Sequence, residues 1–220
     1  MLFQSENVLE SEKERNFYSK VFAGYYFNEL IPGYETRLQA FSELLLDGKQ
    51  PIFSGPMDKG FCLSPKSTHV TFDFHGYLVD EESDRGELAD ILIVDLVNKS
   101  AVAIEVKFLS DWQFEKDIQV ASKRFDGLRL SNQISSFGQV LLVTGTKLKA
   151  VQRGVNSPGS NWEKLSRSPP QHPLVILTWE QIAENCTGSE GDTVQDFIHQ
   201  HIKESRGSLR SRTRKLLNLK

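Results

Sequence analysis

The chain has 220 residues, of which 39% are hydrophobic and 25% charged, and a net charge of −3. That length buries a substantial core in one domain, and the composition excludes a disordered, collagen-like or disulfide-scaffold chain. No apolar run is long enough to span a bilayer, and the start Met1-Leu2-Phe3-Gln4-Ser5-Glu6 has neither the basic nor the apolar part of a secretory leader, so a cytoplasmic protein with no membrane partner is expected.

Glu6 to Leu30 reads as a helix, with Val8, Phe17, Val21, Phe22, Tyr25 and Leu30 near helical spacing and Pro32-Gly33 as its stop. A second amphipathic helix runs from about Glu35 to Leu46, with Leu38, Phe41, Leu44 and Leu45 facing inward. After a Gly- and Pro-rich loop, Val70, Phe72 and Phe74 alternate with Thr71, Asp73 and His75, which is strand periodicity. Two apolar runs, Leu88 to Val97 and Ala101 to Phe108, follow as an antiparallel hairpin turning at Asn98-Lys99. Trp112, Ile118, Ala121, Phe125 and Leu128 mark another helix. Gln139 to Val143 is a short buried strand, 146–172 a loop-rich region and Leu174 to Leu177 a further strand. Helices near Trp179–Cys186 and Thr193–Lys203 close the order. The fold expected is α/β: a central mixed sheet flanked by helices, with helix–strand–strand–strand–helix–strand order (αβββαβ) and additional C-terminal helices. Residues 1–205 form the domain and 206–220 a basic tail.

Charges on the hairpin carry the chemistry. Residues two apart on a strand share a face, so Glu105 and Lys107 point the same way beside Ala101 and Ala103, while Val102, Ile104, Val106 and Phe108 point into a core. If Val97 faces Ser100, then Leu92 faces Glu105 and Asp90 faces Lys107, which gathers two acids and an ammonium on one side. Asp95 would then face Val102 and enter the other layer, whereas a three-residue turn would reverse the choice between Asp90 and Asp95. Charges on apolar strands need a reason, because burying an unpaired one is costly. Either Lys107 pairs with Asp90 or Glu105 as a buried salt bridge, or the carboxylates hold a hard divalent cation. Magnesium, with manganese as a substitute, suits such oxygen ligands, and Lys107 would then assist an attacking water or a charged phosphorane.

The pattern Asp90 … Glu105-Val106-Lys107, on this order of elements, resembles the PD-(D/E)XK nuclease superfamily over roughly Glu6 to Thr144. The resemblance implies a restriction-endonuclease-like core and cleavage of nucleic-acid phosphodiester bonds, and DNA is the substrate expected ahead of RNA. It implies Asp90 and Glu105 as metal ligands with the Val106 carbonyl, Lys107 as the catalytic lysine, and a first-helix glutamate, for which Glu14 is the best match. Ala89 stands where many members have proline before the first acid. Gln119 matches the glutamine of a Gln-x-x-x-Tyr motif, but Lys123 replaces the tyrosine.

Lys123, Arg124, Lys147, Lys149 and Arg153 would draw in substrate phosphates. So would the C-terminal stretch, where Lys203, Arg206, Arg210, Arg212, Arg214, Lys215 and Lys220 face only Glu204. A solvated helix face is the competing reading for Gln119, Lys123 and Arg124, and a frayed, solvated helix end for the C-terminal stretch. Double-strand cutting would call for a homodimer or a partner protein. The alternative function is a catalytically silent domain of the same fold, serving as a nucleic-acid- or partner-binding subunit of a larger defence, repair or transposition complex. His69, Asp73 and His75 offer a weaker metal site; His199 and His201 do not share a helix face. Cys62 and Cys186 are isolated and are expected to be reduced core residues.

Overall fold

In the computed structural model, residues 15–46, 52–53, 61–74, 89–107, 118, 133–153 and 159–217 are described. The strands are β1 (Ile52–Phe53), β2 (Thr68–Phe74), β3 (Ala89–Asp95), β4 (Ser100–Lys107), β5 (Ser136–Val143) and β6 (Leu174–Thr178). They form one six-stranded sheet in the order β1-β6-β5-β4-β3-β2. β2, β3 and β4 are an antiparallel meander, β4, β5 and β6 run parallel, and β1 adds antiparallel to β6. The sheet is therefore mixed, and β4 is the strand where antiparallel pairing gives way to parallel.

Helices cover both faces. α1 spans residues 15–21 and widens into a π-helical turn, Phe22–Tyr26. The others are α2 (Tyr34–Leu46), α3 (Gly145–Arg153), α4 (Asn161–Arg167), α5 (Trp179–Asn185) and α6 (Gly188–Leu217). Ile91, Ile93, Val102, Ile104, Val106, Val140 and Leu142 project from one face into an aromatic-rich core with Phe17, Phe22, Tyr26, Phe41 and Trp179 of α1, α2 and α5. The other face carries Leu92, Val94, Ala101, Ala103 and Phe137 in one cluster, and Leu141, Val143 and Ile176 with Ile118 and Leu165 in another. The alternation predicted for β4 therefore holds for Val102, Ile104 and Val106.

The hairpin register differs from the expected one. Asp95, not Val97, pairs with Ser100, and Val102 pairs with Ile93. A two-residue turn at Asn98-Lys99 favours positive φ at both positions, but only Lys99 adopts it, at 53°. Asp95 decides the matter. Fully buried, its carboxylate accepts from the backbone N–H groups of Val97 and Asn98 and from the Asn98 amide, which rolls the turn out to four residues. It also accepts from Ser64 N–H and the Ser67 hydroxyl. It is a turn staple at the end of the sheet opposite the other charges.

Three further expectations are corrected. The first helix stops at Phe27, and Leu30, read as part of its apolar stripe, is 93% exposed. The buried Arg37 guanidinium donates to the carbonyls of Tyr25, Asn28, Ile31 and Pro32, so the chain here is folded around a cation. The region read as loop between β5 and β6 contains α3 and α4, and Ser160 caps α4 by accepting from Glu163 N–H. The last helix is longer than the Thr193–Lys203 expected. α6 has 30 residues and continues into the basic stretch. Gly188, at φ 81°, opens it, and Tyr25 Oη bonds both the N–H and the carbonyl of Thr187. A Cβ on Gly191 would lie 2.9 Å from that hydroxyl, so the α5–α6 turn needs glycine there.

Candidate metal and nuclease site

The two-residue difference in register keeps every side chain on its face, because strand periodicity is two. Leu92 pairs with Ala103, and one step beyond the last paired positions Asp90 stands opposite Glu105 rather than Lys107. Leu92 and Ala103 pack in the same cluster, so Asp90, two residues from one, and Glu105, two residues from the other, share their side of the sheet. Lys107 follows on the same side, at the carboxyl end of β4 and beside Val143 of the parallel β5.

Two of these side chains meet there, and the third bonds the backbone of β4. Lys107 Nζ lies 2.6 Å from Glu105 Oε1, with side chains 16% and 19% exposed. Asp90 Oδ2 accepts from the Val106 N–H at 2.6 Å. Beyond Ile91–Ile104 the β3–β4 pairing ends, and the Asp90 carboxylate takes a β4 N–H at that point. The salt bridge considered from sequence is thus present, with Glu105 as its acid. Val106 contributes its N–H to Asp90 and its buried side chain to the opposite core.

The donor types are those a hard divalent cation takes. Two carboxylates on one face supply oxygen ligands of the type magnesium takes, and the position against Glu105 already accepts a positive charge, the Lys107 ammonium. Among the described residues, no group of three or more His, Cys, Asp and Glu side chains gathers that could hold a metal. Glu14, the expected first-helix acid, lies outside the described residues, as do Gln119, Lys123 and Arg124.

His69 is exposed on the edge strand β2, and His75 is outside the described residues. His201 stacks on Phe17 with ring centroids 4.0 Å apart, and His199 is exposed. Cys62 and Cys186 are both free thiols, the second buried and the first exposed rather than in the core. Lys147 and Lys149 sit on α3, which starts just past the carboxyl end of β5. Arg210, Arg212 and Arg214 fall on the C-terminal stretch of α6, where side chains are outside the description. No described helix is long and apolar enough to cross a membrane.

No protein-family model, curated protein or solved structure matches this chain. The geometry therefore stands by itself.

One polar residue on the site face escaped the sequence reading. Gln139 of β5 pairs with Ala103, is 3% exposed, and donates from Nε2 to the Ile118 carbonyl at 3.1 Å. Its Oε1 is buried without a hydrogen-bond partner among the described residues. Its signal was available: it is the one polar side chain in the run Phe137-Gly138-Gln139-Val140-Leu141-Leu142-Val143. A buried amide there ties β5 to the segment that follows β4, at a cost that an apolar residue would not incur.

Proposed function

We propose that this protein is a magnesium-dependent nuclease of restriction-endonuclease-like fold that hydrolyses phosphodiester bonds, in DNA rather than RNA. The observation that carries the reading is the placement of the Asp90 and Glu105 carboxylates on one sheet face at the carboxyl end of β4, with the Lys107 ammonium against Glu105. The three-strand meander followed by a parallel strand supports it, since that is the order the resemblance requires.

In this reading Asp90 and Glu105 hold the ion and so fix where positive charge lies against the scissile phosphate. Magnesium bound there supplies Lewis acidity and a water of lowered pKa. Lys107, on the adjoining position of the same strand, orients the attacking water or offsets the charge that builds on the phosphorane. The buried Ile104 and Val106 hold β4 rigidly from the opposite face, which keeps the two charged residues between and beyond them in register. Lys123, Arg124 and the basic end of α6, with Arg210, Arg212 and Arg214, are the proposed contacts to the backbone phosphates.

A second reading has its own observation in favour. The Lys107–Glu105 pair and the Asp90–Val106 bond satisfy charged groups internally, as a catalytically silent nucleic-acid- or partner-binding domain would require. A cleavage assay separates the two. Incubated with supercoiled, linear and single-stranded DNA, the enzyme is expected to cut at least one form in magnesium or manganese and none in excess chelator. Folded protein that cuts nothing in either metal favours the silent domain, and cutting that persists in chelator removes the metal-dependent mechanism.

A further inference from the structure

We infer that Lys107 is the resident counter-cation of this site, so that a divalent ion binds by exchange with its ammonium rather than by simple addition. The inference rests on the metal-dependent reading above and adds to it a second task for the lysine. Strand geometry sets Glu105 and Lys107 side by side, about 7 Å apart along β4. Their charged ends nevertheless close to 2.6 Å. The two charged ends therefore lean together along the strand, into a charge-assisted contact.

Two cations cannot share one carboxylate edge without repulsion, which is least screened where water is largely excluded. Both side chains are mostly buried, at 16% and 19% exposure. A divalent ion that takes hold of Glu105 must then weaken the Lys107 contact, and by reciprocity the ammonium weakens the hold on the ion. The exchange has a chemical use. An ammonium that leaves Glu105 only when metal arrives can turn towards phosphate only when the site is loaded. Before that, Lys107 offsets the charge of Glu105, which stands opposite Asp90 across β3 and β4.

The test is manganese binding to the full chain, followed by titration calorimetry and by the paramagnetic resonance signal of the free ion, with no cleavage involved. Lys107→Met keeps the length of the stem and removes the charge, and Lys107→Gln serves in its place if the methionine variant does not fold. Either is expected to bind manganese roughly fivefold or more tightly than the parent, the size of a modest coupling between sites. Lys107→Arg keeps the charge and is expected to stay near the parent affinity. Binding that is unchanged or weaker in Lys107→Met, or as much tightened in Lys107→Arg, overturns the exchange and leaves the metal site standing. Absence of manganese binding in the parent and in the neutral variant alike overturns both.

Discussion

Asp90→Asn and Lys107→Ala are each expected to lose magnesium-dependent cleavage by at least about 10²- to 10³-fold, the effect of removing one charge-stabilising group from a water-poor reaction centre, while keeping the parent fold. The choice of asparagine matters. Asp90 accepts the Val106 N–H at 2.6 Å, and an amide oxygen can still do so, whereas alanine would strand that N–H at the end of β4. Loss of activity in Asp90→Asn is thus loss of a charge, not of the strand end. Lys107 is partly exposed at the end of β4 and bonded to Glu105, so its truncation leaves the core face of the strand untouched. Rates measured alongside circular dichroism and Tm check both halves of the expectation. Variants that retain cleavage with the parent's metal dependence contradict it.

Asp95→Ala is expected to lower stability by about 3 kcal/mol, because it leaves one buried and four partly buried donors without their acceptor, at up to about 1 kcal/mol each. In a chain of this size that is a fall in Tm of about 6–12 °C. The donors are the N–H groups of Ser64, Val97 and Asn98, the Ser67 hydroxyl and the Asn98 amide. Asparagine does not rescue the site. Either oxygen of Asp95 faces at least two donors, so an amide nitrogen must meet donors whichever way it is turned. The ionisation of Asp95 follows from the same contacts. Burial alone would raise its pKa, but hydrogen bonds from Asn98, Ser67 and Ser64 outweigh that and hold the carboxyl below its ordinary value. A folded-state pKa below the unfolded one contributes stability at neutral pH, lost as pH falls from about 4 through the folded value. Chemical denaturation of parent and Asp95→Ala across that range is expected to show the difference in stability shrinking towards acid. A difference that is constant or grows would contradict the staple.

Much of this architecture was legible because it depends on local periodicity. The alternation Ala101 to Lys107 assigned two faces to β4, and those faces are the ones observed. The register was not legible. Whether a hairpin turns in two residues or four depends on a side chain reaching its own turn and a distant loop, as Asp95 does with Asn98 and Ser64. Asp90 and Glu105 remained on one side only because the difference was even. The end of α1 was hidden for a similar reason, since the carbonyls released there are collected by Arg37 from the next helix. α4 was readable and was overlooked. Ser160-Asn161-Trp162-Glu163 has the spacing of a capping box, but the surrounding prolines and glycine masked it. Gln139 shows the converse: a lone amide in an apolar run signals a buried polar contact, yet its sequence alone does not say that the partner is the Ile118 carbonyl.

The site is tested most directly by a crystal structure of the protein soaked in manganese, with anomalous scattering recorded at the metal edge. A peak is expected between the Asp90 and Glu105 carboxylates, with Lys107 Nζ withdrawn from Glu105. Glu105 still paired with Lys107 at saturating manganese, and no peak on either acid, would contradict a catalytic metal centre on β3 and β4.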